Sequence, residues 1–74
     1  MEFKEGDIIE ASLFYCNIKV LSVLEKSIEL EYSSPNGNTI VEINKEFDAN
    51  GNFDYRMTRY NIYMYSTIVL EELK

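Results

Sequence analysis

Histidine is missing from this sequence altogether. That removes the commonest general base and the usual partner of a nucleophilic serine or cysteine, so catalysis is not expected. Cysteine occurs once, at Cys16. One cysteine cannot close an internal disulfide, and a small secreted domain ordinarily carries several, so the expected compartment is a reducing cytoplasm. Cys16 stands among Phe14, Tyr15 and Ile18, the setting of a buried structural thiol rather than a reactive one. No apolar run approaches the roughly 18 residues of a membrane span. The opening Met1-Glu2-Phe3-Lys4-Glu5 does not read as a basic region followed by an apolar one, so no signal peptide is expected. Bases are scarce: seven lysines and arginines against thirteen acids leave a net charge of −6. That balance opposes non-specific nucleic-acid binding and favours encounter with a basic partner. There is no internal repeat, linker or low-complexity segment.

What is present suits a packed core. Of the 74 residues 46% are apolar, with six tyrosines and four phenylalanines. Disorder goes with low hydrophobicity, so one folded domain spanning 1–74 is expected. A chain this short buries only about 60% of its unfolded surface, which implies modest stability unless it oligomerises.

Ser27 to Arg59 reads as three antiparallel strands joined by two Asn-Gly turns, Pro35-Asn36-Gly37-Asn38 and Asp48-Ala49-Asn50-Gly51. Asn-Gly between alternating runs is a strong hairpin signal, because glycine accepts positive φ without strain. The second turn fits a type I turn closed by a bulge at Gly51. It pairs Phe47 with Phe53, Lys45 with Tyr55 and Ile43 with Met57 on one face. Glu46 meets Asp54, Asn44 meets Arg56 and Glu42 meets Thr58 on the other. For the first turn, a four-residue loop between Ser34 and Thr39 keeps apolar residues together, with Tyr32 opposite Val41 and Leu30 opposite Ile43. The sheet then has an apolar face of Ile28, Leu30, Tyr32, Val41, Ile43, Phe47, Phe53, Tyr55 and Met57. Its other face carries Glu29, Glu31, Glu42, Asn44, Glu46, Asp54, Arg56 and Thr58.

Upstream, Ile8 to Tyr15 reads as a strand with Ile9, Ala11 and Leu13 on one side. A second strand is expected from Ile18 to Leu24, pairing Val23 with Ile28 and Leu21 with Leu30. Ile18 and Val20 then fall on the opposite face, which would suit a curled sheet or an interface. Downstream, the alternation slips after Met57, and Tyr60 to Leu70 is rich in β-branched and aromatic residues, hence mostly strand, with a helical turn around Asn61 to Ser66 as the alternative. Lys4-Glu5-Gly6-Asp7 ahead of an alternating strand resembles the opening of small SH3-like barrels, a likeness that implies architecture alone. The expected fold is all-β: a small, strongly bent antiparallel sheet or SH3-like barrel of five to six strands built on the central meander. The second choice is an open meander that dimerises through an edge.

Four groups of residues invite a function. Glu46 to Met57 can be laid on a calcium loop, but the twelfth place is Met57 where a bidentate Glu is needed, so neither metal nor other cofactor is expected. Glu42 and Glu46 as an acid–base pair lie on a solvated sheet face. Arg56 and Arg59 among Tyr55, Tyr60, Tyr63 and Tyr65 suit either base stacking or protein contact. Tyr55 and Tyr60 are expected in the core, leaving Arg56, Arg59, Tyr63 and Tyr65 as contact residues. The acidic face of Glu29, Glu31, Glu42, Glu46 and Asp54 opposes like charges across strands, Glu31 to Glu42 and Glu46 to Asp54. That costs stability, and a basic partner would turn the cost into binding. The expected function is non-catalytic binding of a basic, nucleic-acid-handling protein, as by phage anti-defence proteins, nuclease immunity proteins or antitoxins. The alternatives are a nucleic-acid-binding barrel using Arg56, Arg59 and the tyrosines, and a structural subunit of a larger assembly.

Overall fold

The computed structural model describes residues 2–11, 16–34 and 37–72. Four strands form one open antiparallel sheet: β1 (Ile8–Ala11), β2 (Cys16–Val23), β3 (Ser27–Ser34) and β4 (Gly37–Asn44), in the spatial order β1-β2-β3-β4. One helix follows, α1 (Tyr55–Glu72). The described residues are therefore mostly β, as expected, but among them the sheet is not closed and four strands stand in place of the five or six of the expected barrel. The expected first strand ends at Ala11, and its Leu13 lies outside the described residues.

The β3–β4 hairpin is two residues tighter than the four-residue loop predicts. Ser34 pairs with Gly37, so Leu30 meets Val41 and Ile28 meets Ile43. A slip of two leaves every side chain on its own face, and the apolar pattern alone cannot detect it. Between β2 and β3 the Val23–Ile28 pair is as predicted, but Leu21 does not meet Leu30. A bulge between Val20 and Ser22 moves the ladder by one, so Val20 meets Leu30 and Ile18 meets Tyr32. The extra residue turns Ile18 and Val20 inward alongside Val23, which removes the second apolar face that the sequence suggested. The core is Phe3, Ile9, Ile18, Val20, Ile28, Leu30, Tyr32, Ile43 and Ile62, flanked by half-buried Val23, Val41, Phe53, Tyr55 and Tyr63.

The second turn forms as predicted. Gly51 has φ of 81° and donates to the Asp48 carbonyl at 3.0 Å, while Asp48 and Asn52 are joined by a 2.8 Å backbone bond. The Asp48 carboxylate accepts the N–H groups of Asn50 and Asn52, each at 2.9 Å. Phe47 bridges Phe53 as expected, and the Asp54 N–H reaches the Glu46 carbonyl at 2.9 Å.

Beyond that bridge the third strand of the expected meander does not exist, because Asp54 starts a helix. Its Oδ1 accepts the N–H groups of Arg56 and Met57, both at 3.1 Å, and its carbonyl takes the first helical bond from Thr58 at 3.0 Å. An aspartate at this position satisfies donors that a helix start leaves orphaned. The pairs expected past it, Lys45–Tyr55, Ile43–Met57, Asn44–Arg56 and Glu42–Thr58, are replaced by helix contacts. Thr58, Ile62 and Ser66, four residues apart, face the sheet and are buried. Met57, Tyr60 and Phe47, expected inside, are exposed. The expected strand from Tyr60 to Leu70 is helix throughout, longer than the single turn held as its alternative.

At the start of α1 four rings form a cluster. Phe53 and Tyr55 lie 4.0 Å apart, Phe3 is 5.9 Å from Tyr55 and 6.4 Å from Phe53, and Phe47 is 6.0 Å from Phe53. Phe3 is brought there by the Lys4–Asp7 turn, which is tied to β2 by bonds from Gly6 to Val20 and from Val20 to Asp7, both 2.8 Å.

Candidate functional site

Alternation along the strands sends one residue set inward under α1 and the next outward, so the helix and the acidic residues of the sheet occupy opposite sides. Two transverse rows of the outer face carry the acidic candidates of β3 and β4. One runs Ile8, Lys19, Glu31, Ile40 from β1 to β4. The next runs Ser22, Glu29, Glu42 from β2 to β4. Glu31 thus has Lys19 on one side and apolar Ile40 on the other. Glu29 has neutral Ser22 on one side and Glu42 on the other, so the like-charge contact is Glu29–Glu42 rather than the predicted Glu31–Glu42. Such a contact costs about 0.2–1 kcal/mol. Glu42 is exposed and Glu29 and Glu31 are half-buried. Ile8 and Ile40, 63% and 59% exposed, are the large apolar groups of this face.

The other two acidic candidates stand elsewhere. Glu46 accepts a 3.0 Å hydrogen bond from the Asn61 amide, and Asp54 caps α1, so both carboxylates are engaged in holding the helix. The basic and aromatic candidates lie on α1. Arg56 and Arg59 are exposed in its first two turns, and the Arg59 guanidinium sits 5.5 Å from the Phe3 ring centre. Together with Phe3 and Tyr55 they line a shallow pocket of about 200 Å³. Tyr63 is half-buried against the core, and its carbonyl accepts the hydroxyls of Ser66 at 2.8 Å and Thr67 at 3.0 Å. Tyr65 reaches Tyr32, ring centres 6.3 Å apart. The two arginines therefore share a pocket with Phe3 and Tyr55, not with Tyr63 and Tyr65.

Partial burial, and then the adjacent Glu2 carboxylate that accepts its hydrogen bond, raise the Tyr55 phenol above its ordinary value of 10.0. Among the described residues no group of three or more carboxylate or thiol side chains is arranged to hold a metal ion, and no helix is long and apolar enough to cross a membrane. Sequence reasoning missed two sets of residues. Ile8 and Ile40 on the outer face follow from the register of β1 and β4. Met57, Tyr60, Met64 and Ile68 along the solvent side of α1 were within reach had Asp54 been read as a helix cap.

Compared with protein-family models, with curated proteins and with solved structures, the chain matches none.

Proposed function

We propose that this chain is a non-catalytic protein-binding module that docks a basic surface on the outer face of its sheet. The observation that carries the reading is the Glu29–Glu42 contact. Two carboxylates face each other at the third of the eight pairs of the β3–β4 ladder, and among the described residues no cation is paired directly opposite either one. Stability alone does not favour that arrangement, and a partner's lysine or arginine seated between them relieves it. Glu31 widens the acidic patch. Ile40 beside Glu31, and Ile8 beyond Lys19 at the other end of that row, supply apolar contact, a role expected of tyrosines that lie on the far side. A basic protein that handles nucleic acid, inhibited or modulated by this chain in the cytoplasm, is the partner class that the charge and size favour.

The test is fluorescence anisotropy with a labelled lysine- and arginine-rich peptide, at about 50 mM and about 500 mM salt. Glu29→Lys with Glu42→Lys should abolish most of the binding. Glu5→Lys with Glu25→Lys, both in exposed turns, raises the net charge of −6 by the same four units and should weaken it far less. Equal loss from both pairs means that net charge alone attracts the peptide, and the reading fails. A single-stranded oligonucleotide is the second probe. Binding there that is lost on Arg56→Ala with Arg59→Ala supports the nucleic-acid reading instead, through the pocket of Phe3, Tyr55 and the two arginines.

A further inference from the structure

Among the described residues β4 is an open edge, with no strand beyond it in the order β1-β2-β3-β4. Edges are ordinarily protected by shortness, proline, a bulge or charge, lysine above all. The other edge, β1, is four residues long. The eight residues of β4 contain no proline, lysine or arginine, and all eight pair with β3 without a shift of register. The single charge on this edge is Glu42, which admits a strand carrying the opposite sign.

Two backbone bonds fix the groups that the edge presents. The Leu24 N–H donates to the Ser27 carbonyl at 2.8 Å, and the Lys45 N–H to the Lys26 carbonyl at 2.9 Å. In an antiparallel ladder the N–H and C=O of one residue point to the same neighbour, and successive residues alternate. Ser27 therefore bonds towards β2, while Ile28, Leu30 and Tyr32 bond towards Ile43, Val41 and Thr39 of β4. The N–H and C=O groups of Asn38, Ile40, Glu42 and Asn44 point away from β3, and no hydrogen bond among the described residues reaches them. Donors and acceptors repeating at every second residue match an extended backbone.

The side chains beside that row define the strand that fits. On the outer face Glu42 has Glu29 on its β3 side and an open position on its edge side. A lysine or arginine in that position lies directly opposite Glu42 and offsets the repulsion from Glu29. Ile40, 59% exposed on the same face, is covered by the methylene stem of the next basic residue. On the inner face Thr39 and Val41 are half-buried, and Val41 packs against the core, so aliphatic residues of an added strand continue that layer. A second copy of β4 fits poorly, because it brings another Glu42 and a second net charge of −6 to the same edge.

We propose, resting on the reading that the outer face receives a basic partner, that the partner binds as an antiparallel β-strand added to β4, its lysines or arginines on the outer face alternating with aliphatic residues on the inner face. Main-chain bonds to Asn38, Ile40, Glu42 and Asn44 hold the strand, and the alternation selects it.

The probe is a labelled peptide of about eight residues, the length of β4, alternating lysine with valine. Its control holds the same residues as a lysine block and a valine block, so charge is equal and alternation is lost. Anisotropy with the full chain at about 50 mM salt should show the alternating peptide bound about tenfold or more tightly than the control. On binding, amide hydrogen exchange at Asn38, Ile40, Glu42 and Asn44 should slow about tenfold or more. In the antiparallel pairing the lysines that face Glu42 and its alternates turn their own N–H groups to β4. N-methylation of the lysines should therefore abolish binding, and N-methylation of the valines should leave it within about threefold of the parent peptide. Equal binding of the alternating and block peptides, unchanged exchange at the four amides, or a loss from valine methylation instead of lysine methylation would each overturn the added strand while leaving the acidic face as a docking surface. No binding of either peptide would overturn both.

Discussion

The Thr58 hydroxyl accepts the backbone N–H of Glu46 at 2.8 Å, tying the segment after β4 to the buried side of α1. This bond explains why a polar residue occupies a fully buried helix position. Glu46 has left the β ladder there, so its N–H needs another acceptor. Thr58→Val keeps the shape and leaves that N–H unpaired, which should cost about 1–3 kcal/mol. Thr58→Ser keeps the acceptor and should cost less. Urea denaturation of both variants checks the order. A Thr58→Val protein as stable as the parent would mean that the bond contributes nothing.

Ile62 and Met64 separate helix from strand. Two apart in a strand, they share a face, whereas in α1 they lie on opposite sides. Ile62 is fully buried and Met64 is 48% exposed. Ile62→Ala should therefore cost about 2–5 kcal/mol, and Met64→Ala less than about 0.5 kcal/mol, measured at low protein concentration. Similar losses from both would contradict the helix.

The same pair shows why the third strand was misread. Tyr60 to Leu70 is dense in tyrosine, isoleucine and threonine, residues that favour strands. The side that α1 buries holds Thr58, Ile62 and Ser66, so a search for apolar spacing finds the solvent side instead. What overrides composition is the Asp54 cap and the place beneath α1 for Ile62. Local chemistry fared better: the Asp48–Gly51 turn, the Phe47–Phe53 bridge and the Val23–Ile28 pair follow from turn residues and alternation. The β3–β4 register and the bulge at Leu21 do not, since a two-residue slip is silent in the pattern and a bulge leaves no signature residue. Of the acidic candidates, Glu29, Glu31 and Glu42 fall on the outer face by simple alternation. Glu46 and Asp54 do not, because the helix begins where a strand was expected.

Tyr55 makes stability fall in alkali. Its folded-state phenol lies above the ordinary 10.0, so the folded protein holds this proton more tightly than the unfolded chain does. The contribution is complete below about pH 10 and is lost as pH rises through the higher folded-state value. Thermal midpoints from about pH 8 to about pH 11.5 check this. The advantage of the parent over Tyr55→Phe should shrink above about pH 10, and parallel curves would contradict it.

Glu29 and Glu42 set stability against binding, and Glu42→Lys reads both. With Glu29 opposite, the lysine replaces a repulsive cross-strand contact by an attractive one, worth about 0.2–1 kcal/mol on an exposed sheet surface. The same change removes one of the three carboxylates of the patch that receives a basic partner and puts a cation in its place. The decisive measurement is made on one preparation of this variant, with urea denaturation beside anisotropy against the basic peptide. A protein more stable than the parent that binds the peptide several-fold more weakly is the predicted result. A less stable protein, or unchanged peptide binding, would contradict the role assigned to the outer face.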